Sequence, residues 1–181
     1  MIGLLLAVSL AGLAQGLTGF GFGIVAMAGL TPLLGPVGAN LVVTPLAGIN
    51  IALTLWAVRH AIQWRRALPL WIGAFVGTPV GVYILHHTEP ELLNRVIGAT
   101  ILLTAVGSLR PAPKGGRPIP QRWGLAAGIF GGVMAGAVAM GGPPAVVYAY
   151  RQPWPVAAIK ATLLLYFAWT VICRMGFFVA S

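Results

Sequence analysis

Apolar residues run almost without interruption from Ile2 to Val58, and the first Asp, Glu, Lys or Arg of the chain is Arg59. One crossing of the bilayer hydrocarbon needs only about 20 apolar residues. The run is punctuated rather than uniform. Ile2–Ala14 gives way to the glycine-rich Gln15-Gly16-Leu17-Thr18-Gly19-Phe20-Gly21-Phe22-Gly23, and the short apolar piece Ile24–Leu34 leads to a turn at Gly35–Gly38. Ala39–Val58, Ala67–Leu85 and Leu92–Leu109 are each long enough to cross. Trp123–Met140 is interrupted by Gly141-Gly142-Pro143-Pro144, Ala145–Tyr150 follows, and after a turn at Arg151–Pro155 comes the last apolar stretch, Val156–Val179. This pattern predicts an all-α fold: a polytopic transmembrane helical bundle with broken or re-entrant helices. Pro79 is a candidate kink within its span.

Charge orients the spans. Basic residues cluster in Arg59–Arg66 and in the Pro/Gly-rich Arg110–Arg122, which makes these segments cytoplasmic by the positive-inside rule. They lie two crossings apart, so both can face the same side. The intervening turn, with Glu89 and Glu91, then faces outward. Residues are 59% hydrophobic and only 7% charged, far from the roughly 25% charged of a soluble domain. The net charge of +9 does not point to nucleic acid, because the basic residues sit singly between apolar runs rather than on one stripe. A single cysteine, Cys173, excludes an intramolecular disulfide and a cysteine-based metal cage. The N-terminus lacks the basic flank of a cleaved signal peptide. No apolar segment holds a carboxylate, a metal-spaced His pair or a nucleophile–base set, so neither an enzyme nor a cofactor is expected, and a cation site would lack its negative partners.

The two ends of the chain resemble each other. At an offset of 120 residues, Gly12, Gly16 and Gly21 fall on Gly132, Gly136 and Gly141; one residue of slippage later, Pro36, Val37 and Ala39 fall on Pro155, Val156 and Ala158. The order of apolar segment, glycine break, turn and long helix is shared. These features predict an internal duplication, with a first membrane repeat at 1–110, a basic cytoplasmic linker at 111–121 and a second repeat at 122–181. If each broken segment crosses once, the repeats are parallel; if it dips in and returns as a hairpin, they are inverted. The shortness of each piece favours the hairpin. The second repeat reaches Ser181 without equivalents of Ala67–Leu85 and Leu92–Leu109, so two further spans are expected beyond it.

A helix broken at membrane depth exposes backbone groups that must be buried in protein or line a cavity. The half-helix that follows presents free N–H groups and a positive dipole end, an arrangement suited to an anion. Gly19, Gly21 and Gly23 permit close approach to the backbone. Pro143-Pro144 fits a helix start, with Gly141 and Gly142 as donors just before it. Helix packing is the competing role for glycine: the four-residue spacing of Gly73, Gly77, Gly81 and of Gly128, Gly132, Gly136 predicts small-xxx-small packing faces rather than ligand sites. Thr18 can instead bond its own helix backbone, Gln15 divides evenly between ligand contact and structure, and Asn50 suits an interhelical hydrogen bond. Lys160 can face an anion path or snorkel to the interface. The depth of Arg174 is open. His86 and His87 read as solvated turn residues, Tyr148 and Trp154 as interface anchors.

The segment Gln15–Gly23, the run Gly131-Gly132-Val133-Met134-Ala135-Gly136 leading into Met140-Gly141-Gly142-Pro143-Pro144, and Lys160-Ala161-Thr162 within Pro155–Thr162 together resemble the TauE/SafE sulfite-exporter family over nearly the whole chain. That resemblance implies a duplicated, roughly eight-helix permease of the bacterial inner membrane for sulfite, sulfonates or related small organic anions. The expected substrate-binding residues are Gln15, Thr18, Gly19, Phe20, Gly21, Met140, Gly141, Gly142, Pro143 and Lys160, with no metal. The expected partners are a small anion, the lipid bilayer and, where the protein self-associates, its own copies. A non-transporting scaffold or assembly subunit and a permease for an unrelated solute are the alternatives. Without a buried carboxylate to carry protons, electrogenic efflux of the anion alone is the expected coupling.

Overall fold

The computed structural model describes residues 2–108 and 119–180. Among them are seven α-helices and no strand: α1 (Ile2–Thr18), α2 (Phe22–Val58), α3 (Trp64–His87), α4 (Pro90–Ser108), α5 (Arg122–Val138), α6 (Gly142–Tyr150) and α7 (Val156–Ala180), with a 3-10 turn at Arg59–Ala61. The predicted turn at Gly35–Gly38 contracts to one residue. Gly35 takes φ 70° and ψ 170°, which divides α2 into arms at 22–34 and 36–58. α3 continues through Pro69 and Pro79 as one helix. Helices α2, α3 and α7 are long and apolar enough to cross a membrane. α1 and α5, at 17 residues each, fall short of the roughly 20 a crossing needs.

Both broken segments are hairpins. Gly29 lies so close to α1 that a Cβ there would stand 2.6 Å from that of Ala7, while Gly21 faces Ala14 at 4.0 Å; the first arm of α2 therefore runs back along α1. In the second half Gly131 and Gly141 face each other, and a Cβ on Gly124 would meet the Tyr148 ring at 2.9 Å, so α6 runs back along α5. Of the two arrangements open from sequence, the hairpin is the one adopted. The long helices after the hairpins run antiparallel: Arg174 of α7 reaches Asn40 and Thr44, and Val171 packs on Gly48.

The most extensive helix contact joins α3 to α5, and it is made of the two glycine faces. A Cβ on Gly73 would lie 2.6 Å from the Ile129 nitrogen, one on Gly81 2.9 Å from the Ala137 nitrogen, and one on Gly132 2.9 Å from the Ala74 Cα. Lipid tails give helices no hydrophobic reason to associate, so close backbone approach through small residues supplies the packing instead. The pairings run in the same order along both helices, so α3 and α5 are parallel and begin at the same face of the bundle. Arg59–Arg66 leads into the first turn of α3 and Arg122 opens α5, which places both basic segments at that face; 109–118, including most of the linker, lies outside the described residues. The turn before α7 is there too: Gln152 donates to the Ile119 carbonyl at 2.8 Å and the Arg66 guanidinium covers the Trp154 ring.

The outer surface is apolar. Leu17, Leu53, Trp56 and Leu103 are each at least 70% exposed, a surface that water would penalise and hydrocarbon accepts. His86 and His87 are exposed at the end of α3, as expected, with His87 Nδ1 2.9 Å from the Tyr83 carbonyl. Two roles change. Tyr148, expected at the membrane interface, is buried in the α5–α6–α7 core against Trp154, because the return arm of the hairpin faces inward. Asn50 packs on Gly12, but its side-chain oxygen is buried without a partner, so the expected interhelical bond is not made through that atom.

The orientation has a direct test. With Cys173→Ser as background, a cysteine at Thr88 should react with an impermeant thiol reagent in whole cells and one at Gln63 should not. Labelling of Gln63→Cys alone would invert the assignment.

Candidate functional site

Each hairpin turns by leaving helical conformation at its tip. Gly19 and Gly21 take φ of 83° and 102°, and at the second tip the left-handed residue is Ala139, with φ 59°. A non-glycine residue seldom adopts this conformation; here the N–H groups of Ala139 and Met140 bond back to the Ala135 and Met134 carbonyls and hold it. Nothing in the composition of the segment singles out Ala139. The tips meet: a Cβ on Gly23 would lie 3.2 Å from the Ala139 carbonyl carbon, and one on Gly142 4.0 Å from the Phe20 ring.

Beneath this contact lies a cavity of about 40 Å³, lined from both tips by Gly21, Phe22, Gly23 and Ile24 and by Met140, Gly141 and Gly142, and from the surrounding helices by Gln15, Val43, Thr170 and Arg174, among others. At roughly 10–15 Å³ for a water it holds about three, or one compact polyatomic ion. Three kinds of donor converge on it. The first-turn N–H groups of α2 have no intrahelical partner, and with them comes the positive end of the helix dipole. Gln15 is 2% exposed and its Nε2 has no hydrogen-bond partner. Arg174, 3% exposed, donates to Asn40 Oδ1 and Thr44 Oγ1. The only two carboxylate side chains of the chain, Glu89 and Glu91, stand at the α3–α4 turn, where Glu91 pairs with Arg95 at 2.7 Å. Arg174 thus has Asn40 and Thr44 among its acceptors, in a place where charged side chains mark functional paths.

Of the residues expected from sequence, Gln15, Gly21, Met140, Gly141 and Gly142 line this cavity. Phe20 stands at the contact between the tips. Thr18, Gly19, Pro143 and Lys160 are not among the lining residues. Thr18 is exposed and donates to the Ala14 carbonyl at 2.7 Å, the local bond that competes with a ligand role. Lys160 donates to the Leu17 carbonyl at 2.7 Å, at the end of α1. Gly141 also has a packing duty: a Cβ there would meet that of Ala135 at 2.7 Å. Asn40 and Thr44 were not singled out from sequence; both lie in an apolar stretch near a turn.

The sequence model of the family described as Sulfite exporter TauE/SafE matches residues 4–181. The chain belongs to the TauE/SafE family. It is 34% identical, over 174 residues, to the probable sulfite/organosulfonate exporter TauE of Cupriavidus necator, an alignment covering 90% of this chain and 66% of that relative. The chain therefore spans just under two thirds of the relative's length. No solved structure matches it. With family membership, an apolar exterior and spanning helices, the TauE/SafE chain is a multi-pass protein of the bacterial membrane, from a family named for export rather than for a reaction.

Proposed function

We propose that this protein is a permease that exports small sulfur-containing anions of the sulfite or sulfonate type, with the cavity between the two hairpin tips as its substrate site. One observation carries this reading: both tips converge on a single buried space faced by Arg174 and by the unpartnered Gln15 amide. A sulfur oxyanion offers several acceptor oxygens and at least one negative charge. A guanidinium supplies the charge and a fork of donors; Gln15 and the first-turn N–H groups of α2 supply neutral donors that offset the ion's desolvation. The volume of about 40 Å³ suits an inorganic oxyanion or a short sulfonate. The name of the Cupriavidus necator relative points the same way. The two halves, 1–110 and 122–181 joined by 111–121, are best understood as inverted copies of one unit, in keeping with their antiparallel long helices.

The driving force follows from the charges. An inside-negative potential pushes an anion outward with about 2.3 kcal/mol per charge per 100 mV. No carboxylate side chain lies within the spanning helices to carry a proton. In proteoliposomes, sulfite flux should follow a potential imposed with potassium and valinomycin and should proceed without a pH gradient. Flux that ignores voltage and tracks only the pH gradient would sink electrogenic efflux. Absence of both flux and sulfite binding would favour a scaffold role.

A further inference from the structure

Two long-range hydrogen bonds fasten the hairpin tips, and they occupy corresponding places in the two hairpins. Lys160 Nζ on α7 donates to the carbonyl of Leu17 at the end of α1, at 2.7 Å. Asn40 Nδ2 on α2 donates to the carbonyl of Ala137 at the end of α5, at 3.2 Å. An offset of 120 carries Leu17 onto Ala137 and the left-handed Gly19 onto the left-handed Ala139; on the long helices, where the register has slipped to align Ala39 with Ala158, Asn40 and Lys160 stand one position apart. In each case the donor stands on the long helix of one half and the acceptor on the hairpin of the other.

The acceptors explain why such bonds form. The last carbonyls of a helix have no intrahelical donor and lie at its negative dipole end, so a donor arriving from another helix is the natural partner. At the first tip the lysine stem also lies across the turn, since a Cβ on Gly19 would meet Lys160 Cγ at 3.1 Å. At the second tip Asn40 has two duties: its amide nitrogen holds Ala137 and its oxygen accepts from Arg174 of the cavity. The two fastenings lie towards opposite faces of the bundle. Lys160 is in the first turns of α7, beside the turn that Arg66 covers at the basic face. Asn40 follows Gly35, at the start of the arm that ends at that basic face with Val58. Lys160 and Arg174, the residue Asn40 holds, are 14 positions apart on α7, roughly 21 Å along its axis.

We infer that Asn40 and Lys160 are equivalent positioning residues, each reaching from one half to fix the hairpin tip of the other, and that loosening either one opens the cavity towards its own face alone. This inference rests on the hairpin geometry and not on the identity of the transported ion, and it is tested without any anion present. A cysteine at the cavity-lining Thr170, in a Cys173→Ser background, is labelled with an impermeant maleimide in right-side-out and in inside-out vesicles. Lys160→Met should raise the labelling rate at least tenfold from the face carrying Arg59–Arg66 and leave it unchanged from the other. Asn40→Asp, which drops the donor to Ala137 while keeping an acceptor for Arg174, should do the reverse. Lys160→Arg, which keeps a donor, should restore slow labelling; this separates the positioning role from general loosening of the fold. Equal acceleration from both faces, acceleration from the same face in both variants, or none in either, would overturn the inference.

Discussion

Arg174→Gln should weaken sulfite binding to the purified protein by about 3 kcal/mol, roughly a hundredfold, the usual scale for removing one charge of a buried, hydrogen-bonded pair. Titration calorimetry in detergent would measure it. Stability should move in the other direction or not at all. A buried guanidinium carries a large desolvation cost that its hydrogen bonds to Asn40 and Thr44 must offset, and a neutral glutamine is relieved of that cost. Glutamine keeps a donor for Asn40 or Thr44. Loss of affinity with an unchanged melting temperature is therefore the expected signature of a charge that serves the ligand. Arg174→Lys should fall between, since it keeps the charge but loses the fork. Unchanged affinity in Arg174→Gln would remove the cavity from consideration as the anion site. A fall in melting temperature with unchanged affinity would make Arg174 a structural residue.

The second large effect concerns the fold. Gly77→Leu should destabilise the protein by about 3 kcal/mol or more, beyond the usual range for an overpacked site, and lower Tm by roughly 6–12 °C for a chain of this size. A Cβ at Gly77 runs into the Ile129 carbonyl carbon and the Val133 nitrogen, both at 3.0 Å. Those atoms belong to a helix backbone and cannot step aside as a side chain can. Gly98→Leu is the matched control: a Cβ there meets nothing within 4 Å, so its effect should stay within about 0.5 kcal/mol. Equal effects of the two variants would show that the glycine face of α3 is not what holds α5. The same logic limits what Gly141→Leu can report, because its Cβ would strike Ala135 before it met a ligand.

What could be read from the sequence was whatever is local. Span lengths follow from runs of apolar residues, the breaks from Gly and Pro, and the α3 and α5 packing faces from a four-residue glycine period that needs no knowledge of the partner. Even there boundaries shifted: one residue, Gly35, replaces the four-residue turn, because its combination of φ 70° and ψ 170° is essentially open to glycine only. The site was legible only in part. Gln15 and Gly21, and Met140, Gly141 and Gly142, announce themselves as a polar or flexible interruption in an apolar run. Arg174 and Asn40 do not, since their importance lies in contacts between residues 134 and 97 positions apart. Lys160 shows the converse: its charge drew attention, but its partner is a backbone carbonyl 143 positions away, which no side-chain pattern encodes.

The α3–α5 seam also settles how the molecule can divide mechanically. Two helices that touch backbone to backbone along several turns have no compliant side chains between them, so they travel as one body. α3 comes from the first half of the chain and α5 from the second. Any hinge therefore does not follow the linker that joins the halves in sequence. The 3-10 turn Arg59–Ala61, which joins α2 to α3, lies outside the seam and leaves α2 free of that constraint.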